Sequence, residues 1–203
     1  MYSKLPYMVY GFHGCDKSVK DRILHQGGFF ESSRNAYDWL GSGIYFWEGD
    51  FQRALEFAQD AAKNPKQSKG TIEEPAVIGA VIDLGYCLNL LDRRFIELLK
   101  KADDLYVASA KANGDEILEN KGKLPDRKGR YRDCAVINNL HSVIEDQQMR
   151  GFDTVRSVFF EGDPIYNNAG FYERTHIQIC VRNPNCIKAV FDPRKIDSSY
   201  PVV

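Results

Sequence analysis

Apolar positions along the chain alternate in some segments and recur with a period near 3.6 in others. Short runs rich in β-branched and aromatic residues predict strands at 7–12, 44–47, 76–84, 155–160, 176–181 and 187–191. Apolar residues at helical spacing, preceded by Asp16 and Asp50 as N-caps, predict helices at 16–26 and 50–63. This order of elements predicts a mixed α+β fold.

A long helical stretch separates the third predicted strand from the last three. Leucines and a phenylalanine recur with helical spacing over 87–113, and a second helix is predicted at 133–150. The segment between them, 114–132, is polar and basic. We therefore expect a mainly helical insertion at about 86–150 within a single domain spanning 1–203.

Composition is that of a globular protein. The 203 residues are 43% hydrophobic and 27% charged, and no apolar run approaches the length that spans a bilayer. The first residues contain no apolar core of a secretory signal, so a cytoplasmic protein without a membrane partner is expected. Five cysteines without a Cys-x-x-Cys pair support neither a disulfide framework nor a metal site.

The net charge of −1 argues against a protein that coats nucleic acid with its whole surface. One basic stretch is the exception, and it consists of Lys121, Lys123, Arg127, Lys128, Arg130 and Arg132. It is either a local patch for a nucleic-acid acceptor or a solvated loop, as runs of charge usually are.

Two glycine-containing segments near the N-terminus carry candidate chemistry. In the first, Tyr10-Gly-Phe-His-Gly-Cys15, His13 ends an apolar run and Gly14 follows it. In the second, Gly41-Ser-Gly-Ile-Tyr-Phe-Trp47, small residues predict a tight turn that leads into a strand and presents Tyr45. Each segment alone is compatible with an ordinary buried strand.

Together, the two segments resemble the nicotinamide-binding signature of ADP-ribosyltransferases of the diphtheria-toxin and poly-ADP-ribose-polymerase type. The resemblance covers roughly the first sixty and the last forty residues, and it implies a split mixed β-sheet core and NAD as substrate. It implies that His13 bonds a ribose hydroxyl, that the Gly14 backbone approaches the carboxamide, and that Tyr45 stacks on nicotinamide. Ser42 and Gly43 are part of the same motif.

Two further residues are implied as NAD contacts. Phe57 stands near the place of a second stacking aromatic, one residue out of the expected spacing, and is equally compatible with a core position. Arg34 lies in the loop that covers the adenosine half of NAD in this family. Its guanidinium would pair with the pyrophosphate, unless it is a plain surface residue.

The acidic residue is the open question. Cleavage of the glycosidic bond of NAD builds positive charge on the ribose, which a nearby carboxylate stabilises. The family places this residue at the start of a strand that follows a loop, where Glu173 is the available carboxylate. Gln178 is the competitor, and strand alternation puts it on the same face as His176.

The expected function is that of a mono-ADP-ribosyltransferase that moves ADP-ribose from NAD to a macromolecule, with RNA, DNA and protein all open as acceptors. By analogy with the family, an intracellular toxin or phage-defence effector with an antitoxin or regulatory partner is the expected setting. The alternatives are an NAD glycohydrolase, a non-catalytic NAD-binding module, and a partner-binding protein that works through the helical insertion.

Overall fold

The computed structural model describes residues 8–64, 71–122 and 128–201, which form four α-helices and seven strands. In chain order they are β1 (Met8–Asp16), α1 (Lys17–His25), β2 (Ile44–Glu48), α2 (Phe51–Lys63), β3 (Pro75–Asp83), β4 (Cys87–Asn89), α3 (Arg93–Asn113), α4 (Tyr131–Asp146), β5 (Thr154–Phe159), β6 (His176–Val181) and β7 (Ile187–Phe191). The expected α+β class is confirmed. Within the described ranges, no helix has the length and apolar character needed to cross a membrane.

All seven strands join one mixed sheet in the order β4-β5-β6-β2-β1-β3-β7. Every neighbouring pair is antiparallel except β4 and β5, which are parallel. The N-caps predicted for the first two helices are confirmed, because Asp16 accepts a hydrogen bond from the Ser18 amide and Asp50 from the Arg53 amide.

The structure corrects the sequence-based boundaries in three places, the first being α4, which begins at Tyr131 and ends at Asp146 where a helix over 133–150 was expected. Strand β1 does not end before His13 but continues to Asp16, since it pairs with β3 along its whole length. The segment predicted to begin a helix at Cys87 starts as strand β4, which extends the sheet beside β5, and the helix begins only at Arg93. Pairing with β5 and full burial of Leu88 outweigh the local helical spacing.

Strands β1 and β2 meet only briefly. They pair at Gly11–Glu48 and at Phe12–Trp47, and beyond these pairs β1 follows β3 while β2 follows β6. The sheet is thus held together at its centre by a short ladder, next to the two glycine-containing segments.

The two faces of the sheet are covered differently. On one face, which we call the α1 face, Phe46, Ile78 and Ile179 are fully buried, and α1 and Phe30 pack there. On the other, which we call the helical face, α2 packs over β1 and β3. Helices α3 and α4 cover the part of the helical face formed by β2, β5 and β6.

The turn before β2 depends on two glycines. Gly41 has a φ of +76°, which L side chains rarely adopt, and Gly43 lies against β6 so closely that a Cβ would overlap Cys180 Sγ and stand 2.7 Å from Val181 O. Both positions are buried. The Gly-Ser-Gly sequence is therefore required by backbone conformation and packing.

We predict that Gly43→Ala lowers the free energy of unfolding by about 1–3 kcal/mol, because the added methyl group forces β2 away from β6. Urea denaturation measures the change. Gly170→Ala is the matched control, since Gly170 has an ordinary φ and open space around the position of a Cβ. Equal stability of the two variants would contradict the packing role of Gly43.

Candidate functional site

The helical face carries a group of polar and aromatic side chains where β2, β5 and β6 come together. Trp47 of β2 pairs with Gln178 of β6, and Phe159 of β5 pairs with His176, so strand alternation points all four side chains to this face. Residues from the loop before β2, from α2, from the loop after β5 and from the segment before α4 complete the group. We call it the central cluster: Trp39, Trp47, Arg53, Arg130, Phe159, Glu161, His176 and Gln178.

A buried ion pair lies in the central cluster. Arg53 Nη2 of α2 donates to Glu161 Oε2 at 2.5 Å, and the two side chains are 8% and 9% exposed. Lys128 Nζ lies 3.7 Å from the other carboxylate oxygen. Two cations therefore face one carboxylate: Arg53 is buried with it, and Lys128 approaches from solvent with a side chain that is 67% exposed.

Three buried donors next to this pair have no acceptor. Arg53 Nε, Arg53 Nη1 and Trp47 Nε1 form no hydrogen bond with any described residue, and the Arg53 guanidinium lies 5.7 Å from the centre of the Trp47 ring. Buried donors are almost always satisfied in native proteins. An oxygen-rich ligand has the acceptor atoms that these three donors lack.

The hydrogen bonds of His176 define its protonation. Nδ1 lies 2.7 Å from Arg174 O, and because a carbonyl only accepts, Nδ1 carries the proton. Nε2 then accepts from Gln178 Nε2 at 3.1 Å. Burial, with a smaller contribution from the Arg53 charge, lowers the pKa of His176, so the ring is neutral at pH 7.

Aromatic rings form the other wall of the central cluster. The Trp39 ring stacks on His176 at 6.3 Å, and the Arg130 guanidinium lies 4.7 Å from the Trp39 ring and 4.9 Å from the Phe159 ring. Trp39 Nε1 donates to Lys128 O at 3.1 Å, which anchors the segment before α4. The wall is flat, apolar and cationic at its edge.

The structure brings His13 and Tyr45 together through one hydrogen bond and separates their rings. His13 Nδ1 donates to Tyr45 O at 2.8 Å across the gap where β1 and β2 diverge, which leaves Nε2 as an acceptor. Burial lowers the pKa of His13, so this ring is also neutral. The His13 ring contacts Phe30 and Phe46 on the α1 face, whereas Tyr45 packs on the helical face.

Tyr45 holds the turn that precedes it. Its hydroxyl donates to Gly41 O at 2.6 Å and accepts from the Leu40 amide at 2.9 Å. Burial raises the pKa of Tyr45 well above its ordinary value. The ring is partly buried, so it is a structural support for the Gly41–Gly43 turn as well as a candidate stacking surface.

The remaining glycine and serine of the predicted NAD site make close packing contacts. Gly14 lies against α2, where a Cβ would overlap Ala54 O. The Ser42 backbone is held from both sides, since its amide donates to Asn138 Oδ1 at 2.9 Å and its carbonyl accepts from Arg182 Nη1 at 2.8 Å.

The other sequence-predicted residues lie at different depths. Phe57 contacts the Trp47 ring at 5.0 Å and so borders the central cluster. Arg34 is exposed in the loop before β2. Glu173 is exposed on the hairpin between β5 and β6, where its carboxylate lies 3.5 Å from the Asp163 amide, while Gln178 is 8% exposed inside the central cluster.

The basic stretch is engaged within the chain. Lys123 and Arg127 lie outside the described residues. The other four basic side chains contact acidic or aromatic groups: Lys121 lies over the Tyr131 ring, Lys128 is near Glu161, Arg130 pairs with Asp133, and Arg132 forms a bidentate pair with Asp103. Among the described residues, Arg130 and Arg132 are held in ion pairs, whereas the exposed Lys121 and Lys128 each make a single looser contact.

Sequence reasoning missed the pairing of Arg53 with Glu161. A signal for Arg53 exists, because it shares its helical face with Phe57 and Ala61 at spacings of four residues, so a charge stands within the inward-facing stripe of α2. Glu161 follows an apolar strand directly, but nothing local distinguishes it from a residue of an ordinary turn. Within the described ranges, no group of His, Cys, Asp and Glu is arranged to hold a metal ion.

Comparison with known proteins gives one distant relative. The chain is 29% identical over 194 residues to the uncharacterized protein MJ0359 of Methanocaldococcus jannaschii, an alignment that covers 87% of this chain and 83% of that protein. No family model matches the chain. No solved structure matches it either.

The buried histidines make stability dependent on pH. Burial, reinforced by the Arg182 charge, lowers the pKa of His141 to about 4, and His13 and His176 are shifted in the same direction. An unfolded histidine takes up its proton near pH 6.5, so the unfolded state binds more protons between about pH 6.5 and pH 4. Stability is therefore complete above this window and falls as the pH decreases through it.

We predict that His141 alone accounts for about 2 kcal/mol of the loss in unfolding free energy between pH 7 and pH 5. Urea denaturation at both pH values measures it. His141→Gln, which does not titrate, should show a correspondingly smaller loss, and the exposed His25→Gln should behave like the wild type. An unchanged loss in His141→Gln would contradict the prediction.

Proposed function

We propose that this chain is an NAD-dependent ADP-ribosyltransferase and that the central cluster holds the reacting half of NAD. The observation that carries the proposal is the buried carboxylate of Glu161, set beside Arg53, Lys128 and the unsatisfied indole nitrogen of Trp47. The resemblance of the two glycine-containing segments to ADP-ribosyltransferases indicates NAD as the substrate. The divergence of β1 and β2 next to His13 agrees with the split-sheet core that this resemblance implies.

The composition of the central cluster suits this substrate. NAD offers phosphate, hydroxyl and carboxamide oxygens, which the unpaired donors of Arg53 and Trp47 would bind. Flat rings from Trp39 and Trp47 match the nicotinamide ring, and its positive charge is attracted to an aromatic face. His13 would not contact NAD in the central cluster, because its ring lies on the opposite face of the sheet against Phe30 and Phe46.

The step itself needs one carboxylate. The bond between ribose C1 and the nicotinamide nitrogen breaks, and its electron pair leaves with nicotinamide. The acceptor's nucleophile then forms the new bond to C1 and gives up its proton. Glu161 would stabilise the positive charge that develops on the ribose, and its carboxylate would accept the proton that the nucleophile gives up.

Glu161 fits this role better than Glu173, which precedes β6, or Gln178, which lies within β6. The exposed carboxylate of Glu173 acts through water, where the field of a charge is strongly screened. The Gln178 amide already donates to His176, so its part would be to hold that neutral ring in place. Glu173 is the alternative carboxylate, which the following experiment separates from Glu161.

We predict that Glu161→Gln lowers the rate of nicotinamide release from NAD by roughly two to three decades, the usual effect of removing one preorganised group that stabilises developing charge. Affinity for NAD should change far less, because the charge is needed mainly in the transition state. Labelled NAD is incubated with separate pools of protein, RNA and DNA, and circular dichroism confirms that the variant is folded.

Glu173→Gln is the matched control, because it removes the same charge from an exposed position 12 residues along the chain. It should keep activity within about twofold of the wild type. If Glu173→Gln releases nicotinamide slowly while Glu161→Gln remains active, Glu173 and not Glu161 is the catalytic carboxylate. No release of nicotinamide by the wild type with any pool would refute the enzymatic proposal and favour a binding module.

The same experiment separates transfer from hydrolysis. Label that becomes attached to a macromolecule identifies a transferase, and nicotinamide release without such label identifies an NAD glycohydrolase. The pairing of Arg130 with Asp133 and of Arg132 with Asp103 favours protein over nucleic acid as the acceptor, since phosphate contacts require free cations.

A further inference from the structure

A second polar site lies at the opposite end of β5 and β6 from the central cluster. It is a cavity of about 340 Å³ lined by His141, Glu145, Gln148, Met149, Gly151 and Arg182. The two strands run from one site to the other, and a six-residue strand is about 17–20 Å long. The cavity volume is in the range of pockets that hold small molecules.

Arg182 brings a cation to this cavity. Its Nη1 donates to Ser42 O at 2.8 Å and to Asn138 Oδ1 at 3.3 Å, which positions the guanidinium. No carboxylate of the described residues lies within ion-pairing distance of it, although the side chain is partly buried and burial lowers its pKa. A planar guanidinium with unused donors is suited to a carboxylate.

His141 brings a buried acceptor to the same cavity. Its Nδ1 donates to Ile137 O at 2.8 Å, so Nε2 carries a lone pair. The side chain is 8% exposed, and Nε2 has no hydrogen-bond partner among the described residues. An unsatisfied buried acceptor requires a donor, which a ligand in the cavity would supply.

Glu145 stands one helical turn after His141 and adds a negative charge. No cation of the described part of the chain lies within 4.0 Å of its carboxylate. A simple anion would be attracted by Arg182 and repelled by Glu145. A simple cation would be attracted by Glu145 and repelled by Arg182. The cavity therefore favours a ligand that carries both charges.

We propose that this cavity binds a free α-amino acid, with its carboxylate on Arg182 and its ammonium group between Glu145 and His141 Nε2. Each charged group of the ligand then meets a partner of opposite charge or a lone pair. The site is independent of the proposed ADP-ribosyl transfer, because it shares no residue with the central cluster.

Isothermal titration calorimetry tests the proposal with the twenty proteinogenic L-amino acids, one at a time. At least one should bind with a Kd below about 1 mM, a modest affinity for a small ligand with two charge-assisted contacts. The amine made by removing its carboxyl group and the acid made by removing its amino group should each bind about tenfold more weakly or not at all. Absence of binding by all twenty, or equal binding of the amine or the acid, would overturn the proposal.

Variants of the protein provide the second arm. Glu145→Gln, at an exposed helical position, should weaken amino-acid binding about tenfold or more without loss of folding. Asp146→Asn is the matched control, since it removes a neighbouring exposed carboxylate from the same helix, and it should bind like the wild type. Equal affinity of the wild type and Glu145→Gln would also overturn the proposal.

Discussion

The pairing of Arg53 with Glu161 is the interaction on which the arrangement of the helical face depends. It joins α2 to the loop after β5, and both side chains are less than a tenth exposed. Removing a charge from water costs several kcal/mol, and a buried pair is seldom a net gain over apolar residues of similar size. Removal of one partner, however, typically costs about 3–5 kcal/mol because the other charge is left alone. The pair therefore constrains the position of α2 more than it contributes to stability.

The unpaired donors beside this ion pair agree with a binding role. An ion pair kept only to fix α2 would be expected to satisfy the remaining nitrogens of Arg53, and the Trp47 indole would be expected to find an acceptor. Instead, three buried donors are without partners among the described residues. Sites that bind charged ligands commonly keep such incomplete hydrogen bonding, since a fully satisfied cluster has nothing to offer a substrate.

Strands β5 and β6 connect two different electrostatic environments. At one end, Arg53 and Lys128 face the Glu161 carboxylate, and at the other, Arg182 and Glu145 line one cavity with a neutral histidine. Arg182 also holds the Ser42 carbonyl, and Tyr45 holds Gly41 in the same turn. The Gly41–Gly43 turn thus lies at the Arg182 end of the sheet, where Arg182 and Tyr45 both hold it.

Much of the fold was predictable from the sequence, because hydrophobic periodicity and capping residues act locally. The helices capped by Asp16 and Asp50, the strands around Tyr45 and Ile179, and the α+β class all follow from such patterns. The proximity of His13 to Tyr45 was expected from a resemblance, but the placement of their rings on opposite faces depends on the register of β1 against β2. Strand β4 was missed because only pairing with β5 makes Cys87–Asn89 extended. The ion pair of Arg53 and Glu161 joins residues that are 108 positions apart in the sequence. Only the tertiary structure could reveal it, because charges on separate elements meet only after the sheet brings those elements together.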